Sequence, residues 1–582
     1  MLSKTKYILV IALTVFLVAC SDDFLENNPI ALDTTESFYT SFESLDYTAT
    51  SAYGMLASMS VFDIMYSIGY QSASDDVEVG GENINDWPEF QRIDRLTHTP
   101  SEANIHIMWG YPYKGIRMAN EYLTRYEAVK EIEVKKAKSE ADAQARLELM
   151  NLRAAEMHFM RAFYHFTLLQ IYGGVPIIDF IVDPEQFNVP RNKIAEVLHF
   201  IQDELLLAIP ILKLKSEQGA DVGRVTKGSA QALLAKAYLY ESSYAENYSG
   251  DERFEGCEQH YDLALGYAED VITSGEYGLV GIGGERFDSW RAPLGGQIGA
   301  YRWIFTLDGD NCDESVWEIQ NVQDRAGWCY TRGSYITIYT TVRKLFINDS
   351  TLSTDYGWSF NLPSKYLIEA FGNSDTRETG LNSLAVDPAL DPRFSTTIGR
   401  EGDTLLANMN GSKKWYKMAF SNLPTGTISR KYECSPDDFT FGANDTYGEG
   451  PMNIRLIRYA DVVLMAAEAA YKSGDAPKAL GYVNQVRTRA RLSGETGYPE
   501  DLPAITFEDI VHERRLELAM EPHRLFDLVR WNLAEKYMNG ITLASMGEGL
   551  VVNFEKGKHE FFPIPAREMQ KATGLVQYNG WK

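Results

Sequence analysis

The most constraining feature of the sequence is an apolar period of three to four residues that returns in several long segments. Within residues 151–172 a stripe of apolar side chains follows the spacing of one helix face. It comprises Leu152, Ala155, Phe159, Phe163, Phe166 and Leu169. Gly173, Gly174 and Pro176 follow directly and predict the end of the helix. Because such an apolar face must be covered, the segment predicts a helix packed against other helices.

The same period is found at residues 225–244 and 261–273, and again near the end of the chain at residues 460–491. In the last of these segments, small and bulky residues alternate around a short turn at 473–476, as in a tetratricopeptide helix pair. Generic helical hairpins share both features. Because 582 residues exceed one ordinary core, the chain predicts either two or three domains or one array of stacked helix pairs.

The middle of the chain has a different character. Glycine, proline, Asn, Asp and aromatic residues are scattered over residues 277–450 without a helical period, which predicts loops and short strands, for example at 315–322 and 335–342. Long irregular segments in compact proteins usually carry function. We therefore expect a helical scaffold at 41–276, a loop-rich ligand-binding region at 277–450 and a second helical scaffold at 451–582.

The amino terminus indicates export. Lys4 and Lys6 precede an apolar run at residues 7–19 that is too short to span a bilayer comfortably, which predicts a cleavable signal peptide at residues 1–19. Ala19 and Cys20 resemble the processing site of bacterial lipoproteins, so we expect a lipid on Cys20 and a polar, acidic tether over residues 20–40. The alternative is an ordinary signal peptide with a chance cysteine.

The net charge and the cysteine spacing argue against two classes of function, nucleic-acid binding and zinc binding. A formal net charge of -26 repels phosphate backbones and anionic lipid headgroups, which argues against a nucleic-acid partner. The four remaining cysteines are Cys257, Cys312, Cys329 and Cys434, which permit three sets of disulfide pairs. Cys312 and Cys329 are nearest in sequence, so a disulfide between them is favoured. The alternative is that all four are free, buried thiols. Their spacing does not match a zinc site, and we predict no metal and no cofactor.

Signatures of catalysis are absent. The sequence has no His-Glu-x-x-His, Gly-x-Ser-x-Gly or Gly-x-x-x-x-Gly-Lys motif, so no catalytic residue is predicted. A glycosidase needs only two carboxylates, and the 81 acidic residues leave that alternative open. One charged cluster near the carboxyl terminus is interpreted as a structural ion network, with Arg455 and Arg458 as further partners; it comprises Glu513, Arg514, Arg515, Glu517, Glu521, Arg524, Asp527 and Arg530.

Aromatic residues on polar loops are the candidate ligand contacts. Sugars present apolar C–H faces and many hydroxyls, so a glycan site needs flat aromatic platforms flanked by Asp, Asn or Arg. Loop residues of this kind are Asp75, Asp76, Asn83, Asn85, Asp86 and Trp87 in one cluster, Arg325, Trp328, Tyr330, Arg332 and Tyr335 in another, and Trp290 and Trp358 separately. Trp109, Trp317 and Trp531 are assigned to packing. Such an acidic, aromatic surface would also suit a peptide.

Fragments along nearly the whole chain resemble the starch-utilisation D family of Bacteroidota outer-membrane lipoproteins, also called the RagB/SusD family. They include Cys20 to Leu25 with Pro29, Trp109 with Tyr113, Ile116 and Asn120, Glu156 with Met160 to Tyr164, and Tyr172 to Pro176. Further fragments are Pro190 and Arg191, Gly223 to Lys227, Ala467 to Ala469, Glu513 to Leu518, Arg524 to Trp531, and Pro563 to Pro565 with Glu568. Pro522 and His523 depart from the family pattern after Glu521, and the acidic run after Cys20 is short.

The resemblance implies a mostly α fold, in which tetratricopeptide-like helix pairs form a superhelical scaffold and a loop-rich, partly β insertion carries the binding face. It also implies a cell-surface lipoprotein of the outer membrane that captures an oligosaccharide and delivers it to a SusC-like TonB-dependent transporter without catalysis. The alternatives are a secreted glycan-acting enzyme and a peptide-capturing member of the same family.

Overall fold

The structure, a computed structural model, describes residues 38–57, 59–83, 85–183, 186–292, 296–322, 333–348, 350–353, 355–372, 387, 390–409, 412–420, 423–434, 450–544 and 550–582. The predicted signal peptide and Cys20 lie outside these residues. None of the described helices is long and apolar enough to cross a bilayer.

The helices are α1 Phe42–Gly54, α2 Pro88–Asp94, α3 Ala103–Lys136, α4 Glu140–Tyr172, α5 Ile194–Ala208, α6 Lys227–Asn247, α7 Tyr261–Thr273, α8 Ala300–Trp303, α9 Ile336–Thr340, α10 Lys365–Phe371, α11 Pro392–Thr397, α12 Tyr459–Lys472, α13 Ala476–Leu492, α14 Phe507–Glu517, α15 Arg524–Arg530, α16 Ala534–Met538 and α17 Ala566–Lys571. A π-helical segment, Met59–Gly69, follows α1. The strands are β1 Val77–Gly80, β2 Arg286–Asp288, β3 Gln297–Gly299, β4 Ser315–Ile319, β5 Lys344–Asn348, β6 Thr351–Leu352, β7 Phe360–Pro363, β8 Ile398–Arg400, β9 Thr404–Met409, β10 Ser412–Ala419, β11 Thr427–Ser429 and β12 Ile454–Arg458.

The fold is mostly α, as the sequence predicts. Helix α3 packs against α1 and α4, and each following helix from α4 to α7 packs against the next. Helix α12 then contacts both α7 and α13, so the late helix pair continues the array built by the early ones. Apolar side chains of these helices form one continuous core. The chain thus builds a rigid helical scaffold before and after the partly β middle region.

The end of α4 is built as its sequence predicts. Ser139 caps the first turn by accepting the N–H of Asp142 at 3.2 Å, and the helix ends where Gly173 adopts a φ of 74°. A Cβ on Gly173 would meet the Tyr578 hydroxyl at 2.7 Å. The Tyr578 hydroxyl accepts a hydrogen bond from the Gly174 N–H at 2.9 Å. Because both glycines lack a side chain, the carboxyl-terminal segment can pack closely against the end of α4.

The middle region consists of small antiparallel sheets. Strands β6, β5, β10 and β9 form one sheet in that order, and β1 pairs with β7, β2 with β3, β4 with β12, and β8 with β11. The predicted strand at 315–322 is confirmed as β4. The predicted strand at 335–342 is wrong, because this segment forms the short helix α9. In this helix the Thr340 hydroxyl donates a hydrogen bond to the Ile336 carbonyl at 2.8 Å. This bond allows a β-branched residue to be accommodated in the helix.

The charged cluster near the carboxyl terminus is a buried ion network, as predicted. Arg458 donates two hydrogen bonds to Glu521, at 2.7 and 2.9 Å, and a third to Glu314 at 2.6 Å. Burial alone would raise the pKa of Glu521, but Arg458 and Lys431 hold that pKa well below its usual range. These carboxylates are therefore ionised and paired, a structural arrangement that links β12, the residue before β4 and the connection between α14 and α15.

The described cysteines do not form the favoured bridge. Cys257, Cys312 and Cys434 are free thiols, so the predicted pairing of Cys312 with Cys329 is not present; Cys329 itself lies outside the described residues. Burial raises the pKa of the Cys257 thiol to about 12 and also raises that of Cys312. Both thiols are consequently protonated and weakly reactive at neutral pH.

Stability is expected to fall as the pH drops from about 6.5 to 4, because His165 must stay neutral in the folded state. Its Nδ1 lies 2.8 Å from the Arg161 carbonyl, and its Nε2 accepts the N–H of Ile178 at 3.3 Å. Burial lowers the pKa of His165 to about 4. Unfolded histidine titrates near 6.5, so between these values only the unfolded chain binds the proton, and stability declines by up to about 3 kcal/mol.

Urea denaturation of wild type and His165→Gln at several pH values tests this expectation. The amide of Gln keeps one donor and one acceptor but does not titrate. The variant should lose less stability than wild type over this pH range, and superimposable pH profiles would contradict the assignment.

Candidate ligand-binding site

Two segments far apart in sequence meet around Arg343. Its guanidinium lies 3.3 Å from the carboxylate of Asp86 and 3.3 Å from that of Asp355, and 3.7 Å from that of Glu82. It also donates to the Trp358 carbonyl at 3.2 Å. Arg343 thus joins the loop before α2 to the loop between β6 and β7, and Asp355 also pairs with Lys344 at 2.6 Å.

Aromatic rings gather beside this ion cluster. Trp87 stacks on Tyr339 with centroids 4.8 Å apart and on Phe360 at 4.6 Å, while the Trp358 ring meets Tyr339 edge-on at 4.7 Å. The Tyr339 and Phe360 centroids are only 6.0 Å apart, whereas rings on opposite faces of Trp87 would stand about 7 Å apart or more. Both buried rings therefore support one face of Trp87. Trp87 and Trp358 remain partly exposed.

The backbone around Trp87 is shaped for this position. Strands β1 and β7 pair antiparallel, with Gly80 opposite Phe360, and thereby bring the two loops together. Gly81 has a φ of 88°, and a Cβ there would meet the Phe360 ring at 2.6 Å. Trp87 itself has a φ of 52° and precedes Pro88, the first residue of α2. The left-handed residue turns the chain sharply into the helix and leaves its indole against the neighbouring rings.

Polar side chains border the aromatic cluster. Glu82, Asn83 and Asn85 are exposed, and the side chain of Asp355 is 44 % exposed. Amide and carboxylate groups at such positions can donate to and accept from ligand hydroxyls, while the indoles offer apolar faces. The surface is thus suited to hold an uncharged, hydroxyl-rich ring. We name it the Trp87–Trp358 surface, comprising Glu82, Asn83, Asn85, Asp86, Trp87, Tyr339, Arg343, Asp355, Trp358 and Phe360.

The residues selected from the sequence that come together on this surface are Asn83, Asn85, Asp86, Trp87 and Trp358. Asp75 and Asp76 are corrected: both are buried, and their carboxylates are held by Arg515 and Arg524 at 2.7 to 3.0 Å. Sealed from solvent by these ion pairs, they have no group to offer a ligand.

Tyr335 is corrected as well, because its side chain is 0 % exposed in the packed core beneath α9. Trp290 is half-buried beside the Arg291 guanidinium, which lies 5.3 Å from its ring, and within the described residues no contact joins it to the Trp87–Trp358 surface. Arg325, Trp328 and Tyr330 lie outside the described residues, so their predicted role stays a prediction.

Tyr339, Arg343, Asp355 and Phe360 were missed by sequence reasoning. Trp358 and Phe360 alternate along the chain in the manner of a strand, which is the one local signal that these rings belong together. The ion pair of Asp86 with Arg343 spans 257 positions, so local periodicity carries no information about it.

The carboxylates of this surface face basic side chains. Within the part of the chain that the structure describes, no group of three or more His, Cys, Asp or Glu side chains is placed to hold a metal ion. Asp86 and Asp355 both face the Arg343 guanidinium, each at 3.3 Å.

The fold and this surface define a class of protein in which a mostly helical scaffold with small sheets displays aromatic rings and polar groups on joined loops. The SusD family matches residues 313–581, and the family described as starch-binding, associating with outer membrane, matches residues 23–239. The chain belongs to the SusD (RagB/SusD) family.

Relatives extend over most of the chain. A SusD-like protein from Bacteroides ovatus is 26% identical over 92% of this chain and 84% of its own length. SusD-like protein P2 from Formosa agariphila is 23% identical over 99% of both chains. Each is described only as SusD-like.

Solved structures share the fold. A laminarin-binding SusD-like protein is 24% identical, with a TM-score of 0.66 over 93% of this chain and 100% of its own. Surface glycan-binding protein A from Bacteroides thetaiotaomicron, in complex with laminarihexaose, is 21% identical, with a TM-score of 0.65 over 93% of this chain and 100% of its own.

Proposed function

We propose that the protein is a cell-surface lipoprotein of the outer membrane, anchored through Cys20, that captures an oligosaccharide and delivers it to a SusC-like TonB-dependent transporter without catalysis. The observation that carries the proposal is the Trp87–Trp358 surface, where partly exposed indoles are supported by buried rings and bordered by exposed amides and carboxylates. Membership of the SusD family and the glycan-binding names of two structural relatives support it.

The first experiment separates binding from catalysis. Purified protein is incubated with a panel of oligosaccharides that includes laminarihexaose, because that ligand occupies one structural relative. Binding in calorimetry without release of reducing sugar supports capture. Product formation would favour a glycan-acting enzyme instead, and affinity for peptides without affinity for any glycan would favour the peptide-capturing alternative. A shallow site with two platforms predicts dissociation constants in the micromolar to millimolar range.

Replacing Trp358 with Ala is expected to weaken the binding of the best glycan about 3- to 10-fold, since one stacking contact is worth about 0.5–1.5 kcal/mol. Trp303→Ala is the matched control, because Trp303 is also half-buried and stacks on one ring, that of Phe287, at 4.3 Å. Titration calorimetry measures both. Trp328→Ala, chosen on the sequence alone, is expected to weaken binding with little change in stability.

The outcomes decide which residues form the site. Loss of affinity in Trp358→Ala with wild-type affinity in Trp303→Ala supports the Trp87–Trp358 surface. Equal affinity in wild type and Trp358→Ala would remove Trp358 from the site, and equal affinity in Trp328→Ala would remove Trp328. Mass spectrometry of the membrane-extracted protein tests the lipid on Cys20, and co-purification from outer membranes tests the transporter partner.

A further inference from the structure

A groove of about 690 Å³ lies on the scaffold, away from the ion cluster of Arg343. Its walls are the amino-terminal half of α3, the connection between α4 and α5, and α17. Apolar side chains form its floor, among them Trp109, Ile178, Phe180 and Phe187. Phe187 is 61% exposed and Phe180 is 36% exposed. An apolar groove that is this exposed to solvent is unusual, which indicates that a chain segment or a partner covers it.

The rim of the groove is basic, although the whole chain is strongly acidic. Lys114, Arg117 and Lys571 line it, with Glu568 as the carboxylate among the lining residues. Lys571 pairs with Glu568 at 2.9 Å, whereas Lys114 makes no ion pair within the described residues and lies 4.1 Å from the Tyr111 ring. The Arg117 side chain is 66% exposed. The rim therefore favours an apolar occupant that also carries negative charge.

The chain itself contains a segment with this chemistry. Residues 21–37 include five carboxylates and no lysine or arginine; the acidic residues are Asp22, Asp23, Glu26, Asp33 and Glu36. Ile30 and Leu32 supply bulky apolar side chains between them. The segment lies directly before the first described residue, so its end point on the scaffold is known.

The described start of the chain runs toward the groove. The Phe42 N–H donates to Glu133 of α3 at 3.3 Å, and three residues earlier the Tyr39 ring lies over Arg125 of the same helix at 4.6 Å. The Thr40 carbonyl still accepts a hydrogen bond from Lys136, at the carboxyl-terminal end of α3, at 2.9 Å. Going backward along the chain, the turn toward the amino-terminal end of α3 therefore begins at Tyr39. Tyr39 also accepts a hydrogen bond from Thr48 at 3.2 Å, which fixes this direction against α1.

One stripe of α3 leads from Tyr39 into the groove. Arg125, Glu121 and Arg117 follow at four-residue steps, and Glu121 pairs with both arginines, at 3.1 and 3.8 Å. At 1.5 Å per residue, Arg117 is about 12 Å from Arg125 and Gly110 about 22 Å. Ile30 and Leu32 precede Phe38 by eight and six residues, which span about 20–27 Å when extended. This length is sufficient for both side chains to reach the groove floor.

We propose that the segment around Ile30 and Leu32 docks in this groove, with Asp33 and Glu36 facing the basic rim. The docking does not depend on glycan binding, but it acts on the lipid anchor proposed above. An undocked tether from Cys20 to Phe38 spans about 60 Å, whereas docking at Ile30 leaves ten residues and about 35 Å. The docked segment holds the groove face of the scaffold close to the membrane.

Photo-crosslinking of the full-length lipoprotein in detergent tests the docking. Phe187 is replaced by p-benzoylphenylalanine, which preserves the aromatic ring, and after irradiation the adduct is mapped by peptide mass spectrometry. The expected product joins position 187 to a peptide from residues 21–37 of the same molecule. The same probe at Leu207, 53% exposed on α5, is the matched control and should give no adduct with that segment.

A second variant keeps the proposal falsifiable. The double substitution Ile30→Ser and Leu32→Ser should reduce the adduct at least 5-fold while leaving glycan affinity unchanged, so failure of the docking and failure of the proposed function are distinguishable. Adduct yield equal to that of the parent, no adduct at position 187, or an adduct with lipid or another protein would overturn the proposal. An adduct joining isotope-labelled and unlabelled copies would also overturn it, in favour of a second copy of the chain.

Discussion

Replacing Arg530 with Met is expected to lower the free energy of unfolding by about 3–5 kcal/mol, the usual cost of removing one partner of a buried ion pair. Arg530 is 0% exposed and donates to both carboxylate oxygens of Glu468, at 2.5 and 2.7 Å, and to Asp527 at 2.9 Å. Met keeps an unbranched apolar side chain but removes the guanidinium, so the buried Glu468 carboxylate loses this partner. Urea denaturation followed by tryptophan fluorescence measures the loss.

Adding Glu468→Gln to Arg530→Met is the control for this mechanism. Trp531 donates its indole N–H to Glu468 at 2.7 Å, and the amide oxygen of Gln keeps an acceptor there. The double variant lacks the uncompensated charge, so it should be more stable than Arg530→Met alone. Equal stability of the single and double variants would show that lost packing, and not the orphaned carboxylate, is the cause.

Replacing Phe163 with Ala is expected to cost about 3–5 kcal/mol of unfolding free energy, as a cavity in the core. Phe163 lies on the buried face of α4, with its ring 4.8 Å from Trp317 of β4 and 5.7 Å from Phe62. The ring thus joins the amino-terminal segment, the scaffold helix and a strand of the middle region. Denaturation of Leu207→Ala, at a half-exposed site on α5, is the control and should change stability by less than about 0.5 kcal/mol.

A loss well below 1 kcal/mol in Phe163→Ala would contradict the placement of this helix face. The end of the helix was predicted correctly from sequence, because the apolar stripe and the terminal glycines indicate the same boundary. Its start was not, because the helix begins at Glu140, before the apolar period at 151–172. Ser139 and Gly173 begin and end the helix through local hydrogen bonding and backbone geometry, which depend on neighbours in sequence.

The candidate site was only partly predictable for a physical reason. Trp87 and Asn85 were found because polar residues crowd a glycine-punctuated loop. Asp75 and Asp76, ten residues earlier, have the same local chemistry, yet they face Arg515 and Arg524, some 440 positions away. A loop carboxylate is exposed to solvent or paired with an arginine according to which distant helix packs beneath the loop. The residue types of the loop alone do not predict this packing.

Segment 335–342 was misassigned for a related reason. Its β-branched and aromatic residues favour a strand, but the chain must turn there so that Tyr339 can support Trp87 and Arg343 can reach Asp86. Tertiary contacts therefore override the local preference at the position that builds the surface.

The ion pairs of Asp75 and Asp76 with Arg515 and Arg524 bear on how the chain matures. A polypeptide threaded across a membrane from its amino terminus delivers both carboxylates early, while their cationic partners arrive only with the last seventy residues or so. Until then the aspartates need water or a chaperone around them. The environment of Asp75 and Asp76 is therefore completed only when the carboxyl-terminal helices are in place, and removing those helices would leave both carboxylates without their arginine partners.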